Sequence, residues 1–551
     1  MDGDKTRIAI LGGGFGGVYT AKYLDQAMTR AERSQIEIAL VNRENYIVFQ
    51  PFLPEVISGT IETLHAISPI RRLAKRSHLH TRDVEAIDLE NKTVRLSPGF
   101  RPKSLTLKYD QLVLGMGTRL NYSVVPGMQE HAIPFKYLGD ALRLRDQTVR
   151  VLEEADIETD PEEKKKLLTF IVGGGGFSGV EVVAELNDFL KSAIRAYTDI
   201  RQDDLRVVLL QSADRILPEL GEDLAEFAHR ILYRRGVEIR LNTRLIGVTA
   251  DGAVIQEKNS GERQTIPSRT VVATVPAAPH PLIADLPCQL ERGRVVVDRF
   301  LDVPDWPGVW ALGDCAAVPQ PDGITSPPTA QHALRQAKTC AHNILATIRS
   351  RPLKPFSFTG LGKLASLGQR SAVAEVLGVK VSGIFAWLLW RTIYLSKFPG
   401  LDRKIRVAMD WTLDLFLPRD ITQIRIFHQG EVVTEHFEEG ELVFDRGDFG
   451  NKIYFIIDGE IQIDVDGQTI ANLCDGDVFG EIALISNRAR TATARAQSAT
   501  NVVTVSREAF KKLVAHLPGV KTSMETLMQQ RLKRIVDLSQ ETENVGAENA
   551  E

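Results

Sequence analysis

Cysteine is scarce, and the few present match no familiar pattern. Cys288, Cys315, Cys340 and Cys474 are the only four in 551 residues, with no Cys-x-x-Cys and no metal-ligand spacing. This excludes a disulfide scaffold, a dithiol redox motif and a zinc ribbon, fits a reducing compartment, and leaves no metal expected. Charge of one sign is lacking too. Lys and Arg number 67 against 71 Asp and Glu, a net of −4 without a block of like charge, so nucleic acid is not an expected partner. Long apolar runs are absent: in the most hydrophobic region the longest, Ile384 to Trp390, is far short of the ~20 residues a membrane span needs. The first strand-like segment begins at Ile8, and no signal peptide is expected ahead of it. At about 150 residues per domain, the length suggests three to four domains.

One pattern is present twice. Ile8-Ala9-Ile10-Leu11 runs into Gly12-Gly13-Gly14-Phe15-Gly16-Gly17, and Phe170-Ile171-Val172-Gly173 into Gly174-Gly175-Gly176-Phe177-Ser178-Gly179. Each is a buried-strand run, then G-x-G-x-x-G, then a helix-compatible stretch, the context that a dinucleotide site requires. The first glycine makes a tight turn, the second lets backbone approach a pyrophosphate, and the third lets helix and strand pack closely. The pyrophosphate then sits on the helix N-terminus. One copy is weak evidence; two copies 162 residues apart predict two dinucleotides. A flavin and a nicotinamide are the expected pair, because hydride passes readily between them. Val309-Trp310-Ala311-Leu312-Gly313-Asp314 adds a short strand ending in Gly-Asp, suited to placing a carboxylate on sugar hydroxyls.

After residue 350 the texture changes. Residues 351–425 hold three of the five tryptophans, Trp387, Trp390 and Trp411, in two stretches that mix aromatics with Arg391, Lys397, Arg403, Lys404 and Arg406. Read as helices, these suit a membrane interface, with tryptophan on one side and cations reaching headgroups; a dimer interface or a core helix suits the composition equally. From Gly440 the residues alternate apolar and polar, with Asp-Gly pairs at 458–459, 466–467 and 475–476, which predict short antiparallel strands in tight hairpins. Helices are expected from Arg507 to about Leu538, followed by an acidic, disordered tail.

Together with these motifs, Phe49-Gln50-Pro51-Phe52-Leu53, Gly179-Val180-Glu181, Pro328-Thr329-Ala330-Gln331 and Ser382 to Trp390 make residues 5–425 resemble the type II NADH dehydrogenases. These are single-subunit flavoproteins that pass electrons from NADH to a membrane quinone. The resemblance implies that Gly12, Gly14 and Gly17 hold the FAD pyrophosphate, that Gln50 and Pro51 lie near the flavin, and that Asp314 binds its sugar hydroxyls. Gly174, Gly176 and Gly179 would hold the NADH pyrophosphate, with Glu181 where nicotinamide meets flavin and Gln331 facing the quinone. Glu181 and Gln331 are therefore the expected catalytic residues.

Several positions depart from that family's pattern. Asn42 stands where an acid should meet the FAD ribose, with Glu44 two residues on. Gln211 stands at the matching position of the second fold, where a carboxylate would repel the 2′-phosphate of NADPH. Arg206 or Arg215 could attract that phosphate, so NADH use with NADPH not excluded is expected. Pro276 replaces a glycine, and Arg335 precedes Gln336 where two glutamines are usual.

Phe479-Gly480-Glu481-Ile482-Ala483-Leu484 and Arg490-Thr491-Ala492-Thr493 resemble the phosphate cassette of cyclic-nucleotide-binding domains, with Gly440, Gly447 and Gly459 at its turns. The resemblance implies that Arg490 pairs with a cyclic phosphate, that backbone N–H groups near Gly480 add to it, and that Glu481 accepts from the ribose 2′-hydroxyl. Thr491 leaves cAMP and cGMP both open, and Ala489 replaces a common proline.

The expected class is α/β: two Rossmann-like dinucleotide-binding domains, amphipathic membrane-surface helices, then a β-roll cyclic-nucleotide-binding domain. The expected boundaries are 1–120 with 290–350 for FAD, 121–289 for NAD(P)H, 351–425 for membrane association, 430–540 for the cyclic nucleotide, and 541–551 for the tail. The expected function is hydride transfer from NADH to FAD, then electrons to a membrane quinone, on the cytoplasmic side of the cell membrane, under cAMP or cGMP control. Homodimerisation stays open. The alternatives are a redox-sensing signalling flavoprotein and a sulfide:quinone oxidoreductase-like enzyme, the latter lacking its matched cysteine pair.

Overall fold

A computed structural model of the chain describes residues 5–98, 104–274, 277–422, 432–448, 450, 452–465, 467–486, 489–516, and 519, 522–524, 526, 529–530 and 533. Pro276 and the acidic tail lie outside them. Residues 1–96 with 106–424 form one compact unit, and residues 97–105 with 425–551 a second.

The first unit is built on two five-stranded parallel sheets of matching design. One runs Val309–Ala311, Gln111–Leu114, Thr6–Leu11, Ile36–Asn42, His78–Thr81. The other runs Ile133–Pro134, Thr270–Ala273, Thr169–Gly173, Arg206–Leu210, Val237–Arg240. Both sequence runs that opened the motifs are central strands. Ile8 to Leu11 and Phe170 to Val172 are almost wholly buried, as unbroken apolar strands must be when helices cover both faces. Each glycine loop leads into a helix, α1 (Phe15–Ala27) and α2 (Phe177–Ala193), with Gly14 and Gly176 as the N-caps. Helix α3 (Ala330–Ile348) packs along α1.

Residues Gly362–Gly383 form a three-stranded antiparallel meander that leads into α4 (Ile384–Lys397) and α5 (Leu401–Leu413). The predicted tryptophan face of these helices is corrected here. Trp390 and Trp411 point inward and join Phe52 and Phe398 in the largest core cluster. Arg391 turns inward with them, its guanidinium 4.0 Å from the Trp387 ring and 4.5 Å from the Trp411 ring. The outward face is aliphatic and phenylalanyl: Phe385, Leu388, Leu401, Ile405, Met409 and Leu413 are all at least half exposed or close to it. Among the described residues no helix is long and apolar enough to cross a membrane.

The second unit is two four-stranded antiparallel sheets. One orders Val432–Phe437, Thr500–Ser506, Lys452–Asp458, Val478–Phe479; the other orders Leu442–Phe444, Thr493–Ala496, Ile461–Val465, Gln468–Leu473. This is the expected β-roll, with one correction. The strands on either side of Gly467, Ile461–Val465 and Gln468–Leu473, pair with each other, while Asp466 of that pair lies outside the described residues. The pairs at 458–459 and 475–476 stand between strands of different sheets. They are corners, and their glycines serve there because Gly459 and Gly476 have φ of +106° and +83°, a region costly for other residues. Of the expected C-terminal helices, α6 (Arg507–His516) is described.

Candidate functional site

The two glycine loops share one geometry. Gly12 and Gly174 have φ of +108° and +118°, and their amides donate to Val41 O and Leu210 O of the neighbouring strands. A Cβ on Gly17 would lie 1.9 Å from Gly12 O, and one on Gly179 would lie 1.7 Å from Gly174 O; this is close helix–strand packing that only glycine permits. The middle glycines differ. A Cβ on Gly14 would meet nothing within 4 Å, and one on Gly176 only Glu219 Oε1 at 3.4 Å. The backbone there borders open space at the start of a helix, the cradle that a pyrophosphate fits.

The two departures at the ribose-reading positions turn out to share a task. Asn42 Oδ1 accepts from Gly13 N at 2.8 Å, and its amide nitrogen donates to Glu44 O at 2.8 Å. Gln211 Oε1 accepts from Gly175 N at 3.3 Å and Ser212 N at 3.1 Å, and its amide nitrogen donates to Arg215 O at 3.0 Å. Each amide ties its glycine loop to the following strand end. Asn42 and Glu44 line a cavity of about 150 Å³ with Gly12, Arg43, Thr118 and His280.

Asp314 lies in a turn, Gly313–Cys315, held by a 2.8 Å hydrogen bond from Gly313 N to Gln336 Oε1 of α3. Burial raises its carboxyl pKa, while Lys136 and Arg294 oppose the rise. Gln50 and Pro51 open a short turn, Gln50–Phe52, that leads to the helix Leu53–Ile57. Gln331 at the start of α3 spends both ends of its amide on one loop: it accepts from Leu361 N at 3.0 Å and donates to Gly362 O at 3.3 Å. Arg335 donates to Gln331 O at 3.1 Å and stacks 4.0 Å from the Phe358 ring.

Glu181 Oε1 accepts from Ser366 N at 3.1 Å, and burial pushes its carboxyl up to about 8. It heads a row of acids that no sequence motif marks. Glu185 and Asp188 follow at helical spacing on α2 and are 4 % exposed, as is Glu55 at 3 %. Ser58 Oγ donates to Glu185 Oε2 at 2.6 Å. Burial and then Glu185 raise Glu55, against Arg391 and Trp411, and the same two causes raise Asp188, against Arg235 and Arg419. Acids four and seven residues after Glu181, set among the apolar positions of a mostly buried helix, are the available signal.

All four cysteines are unpaired. Burial raises the Cys315 thiol to about 11 and raises Cys340 as well, so neither favours the thiolate that sulfide chemistry uses. Among the described residues no group of three or more acids, histidines and cysteines could hold a metal.

In the second unit a cavity of about 340 Å³ is lined by Phe444, Ile463, Gly480, Glu481, Arg490 and Thr491, among others. Arg490 is 5 % exposed and Glu481 1 %. The Arg490 guanidinium donates to Gly480 O at 2.7 Å and Lys452 O at 2.9 Å and lies 4.1 Å from the Phe444 ring, while its Nε is buried without a partner. All four residues singled out from the sequence thus meet at one cavity.

The family model described as pyridine nucleotide-disulphide oxidoreductase matches residues 6–337, that of the NDH2 C-terminal domain 361–420, and that of the cyclic nucleotide-binding domain 434–516. A type II NADH:quinone oxidoreductase of Mycobacterium tuberculosis is 31% identical over 78% of this chain and 90% of its own. A probable NADH dehydrogenase of Dictyostelium discoideum is 29% identical over 76% and 91%. The solved structure of NDH2 from Plasmodium falciparum with NADH covers 76% of this chain and 100% of that one, at 21% identity and a TM-score of 0.71, a likeness of fold. The chain belongs to the pyridine nucleotide-disulphide oxidoreductases, among the type II NADH:quinone oxidoreductases, and carries a cyclic nucleotide-binding domain after its NDH2 C-terminal domain.

Proposed function

We propose that this chain is a FAD-dependent NAD(P)H:quinone oxidoreductase of the cytoplasmic membrane face, controlled by a cyclic nucleotide. The twin glycine loops carry the reading, because each leaves open backbone only at its middle glycine, Gly14 and Gly176. FAD, when bound, accepts a hydride from the nicotinamide and returns two electrons to the quinone. Gly12, Gly14 and Gly17 hold its pyrophosphate, Asp314 and Glu44 its sugars, and Gln50 and Pro51 flank its ring. Gly174, Gly176 and Gly179 hold the pyrophosphate of NADH, and Gln211 fixes the loop beside its ribose. Glu181, neutral through most of the physiological range, keeps a proton beside the reacting rings. Gln331 shapes the quinone side by pinning residues 361 and 362.

The exposed row of Leu401, Ile405, Met409 and Leu413 on α5, together with Phe385 and Leu388 on α4, enters the headgroup region and gives the quinone a short path from lipid. The four unpaired cysteines accord with the cytoplasmic side. In the second unit Arg490 meets the cyclic phosphate and Glu481 the ribose, with Thr491 beside them. Binding there alters turnover to the extent that the nucleotide prefers one state of the protein.

Steady-state assays of the purified chain test this reading. NADH and NADPH oxidation with a soluble quinone is expected, and saturating cAMP or cGMP is expected to change the rate at least twofold. No calorimetric heat and no rate change with either nucleotide would remove the regulatory half.

A further inference from the structure

The sequence points to Arg206 or Arg215 as the cation for a 2′-phosphate, and the structure turns elsewhere. Arg206 opens the strand Arg206–Leu210, whereas Gln211 follows its far end. At about 3.3 Å per residue the two positions lie about 16 Å apart. The Arg206 guanidinium is also bound to both oxygens of Glu238, at 2.9 and 3.3 Å. Arg240 is engaged by the same carboxylate at 2.6 Å and by Gln264 at 3.1 Å. Arg215 turns back on its own loop, towards Pro218 O at 3.4 Å.

One residue beyond Gln211, Ser212 opens a polar cavity of about 190 Å³ that Asn242, Arg244, Gln256 and Lys258 also line. Its walls are fixed to the ribose-reading loop. Thr243 N donates to Gln211 O, Asn242 N to Ala213 O, and Lys258 N to Asn242 O, at 2.8 to 2.9 Å. Arg244 stands opposite Gln256 in an antiparallel pair. One carboxylate, Glu257, shares the cavity and accepts from Ser260 Oγ at 3.3 Å, leaving the two cations in excess.

We infer that this cavity receives the 2′-phosphate of NADPH, with Arg244 and Lys258 as its cations and the Ser212 hydroxyl as a neutral donor. The inference rests on the proposed nucleotide role of the second glycine loop. A dinucleotide on that loop places its ribose diol at the end of the adjacent strand, where Gln211 brings no negative charge, and a phosphate on the 2′-oxygen projects past it to Ser212. A guanidinium offers such a phosphate two parallel N–H groups, and an ammonium adds a point charge. The chain then accepts both nicotinamide dinucleotides and binds the phosphorylated one more tightly at low salt.

Calorimetric titration of the full-length protein with 2′,5′-ADP and with 5′-ADP tests this without quinone turnover. Wild type is expected to bind 2′,5′-ADP at least tenfold more tightly at low salt, with the preference shrinking as salt rises. The double substitution Arg244→Ala and Lys258→Ala is expected to cost at least tenfold for 2′,5′-ADP and less than threefold for 5′-ADP, so retained 5′-ADP binding certifies the fold. Arg244→Lys is expected to restore part of the loss. Equal binding of the two ligands by wild type, or a preference that survives the double substitution, overturns the inference. Failure of the wild type to bind 5′-ADP instead overturns the nucleotide role of the loop.

Discussion

Trp411 Nε1 donates a 2.9 Å hydrogen bond to Glu55 Oε2, joining α5 to the helix that follows the Gln50-Pro51 turn. The indole edge and Arg391, 3.9 Å from the other carboxyl oxygen, are what this buried acid faces from the α4–α5 side. Glu185, which accepts from Ser58, also acts on Glu55 through its charge. The helices after residue 384 are therefore part of the redox unit's core on one face and open on the other.

Removing that indole donor is expected to destabilise the protein. Trp411→Phe keeps most of the ring volume and leaves Glu55 short of a partner, which costs about 1–3 kcal/mol. Thermal unfolding should show a lower apparent midpoint, and the double variant with Glu55→Gln should lose less than the two single losses added.

Stability should also fall as pH rises towards 8. The carboxyls of Glu181, Glu55 and Asp188 are raised by burial in the fold, so the folded state holds protons that the unfolded chain has released. Their contribution is complete below the ordinary carboxylate range near 4 to 4.5 and is lost as pH climbs to about 8, the value for Glu181. Denaturant unfolding between pH 5.5 and 8 measures this slope. Glu181→Gln should flatten it, and an unchanged slope in that variant would contradict the assignment.

The glycines separate folding from binding. Gly17→Ala puts a methyl 1.9 Å from Gly12 O and is expected to prevent stable folding. Gly14→Ala meets nothing in the protein and should leave the flavin-free unfolding midpoint within a few degrees while reducing FAD retention at least tenfold. Circular dichroism and the flavin absorbance of the purified variant read the two effects separately.

The outward row on α5 should govern membrane binding. Leu401→Ser with Ile405→Ser removes two exposed apolar side chains, about 1.5–3 kcal/mol each if fully inserted. Flotation with phospholipid vesicles is expected to drop at least tenfold, with turnover on a water-soluble quinone retained. Unchanged flotation together with a shift from dimer to monomer would assign the row to a second copy instead.

What the sequence made legible was local. The glycine loops are read from a dozen consecutive residues each, and the alternation that makes Ile461–Val465 and Gln468–Leu473 paired strands is read just as locally. What escaped depended on distant partners. Asn42 and Gln211 are legible as ribose-side positions, but the further task of their side-chain oxygens, which accept from Gly13 and Gly175, is not. Trp390 and Trp411 look like interface anchors until Phe52 is found against both. Asp458-Gly459 looks like a hairpin because a turn signal records only that the chain reverses, not which sheet it enters. Arg206 looks close to Gln211 in the sequence, and an extended strand sets the two far apart.

The most direct test mixes the purified protein, without oxygen, with one equivalent of NADH and then with a quinone, while the flavin absorbance is followed. The account predicts that the flavin band bleaches on NADH and returns fully on quinone, over many cycles. A band that bleaches and stays bleached with quinone present would contradict it, leaving a flavoprotein that senses reduction without passing electrons on.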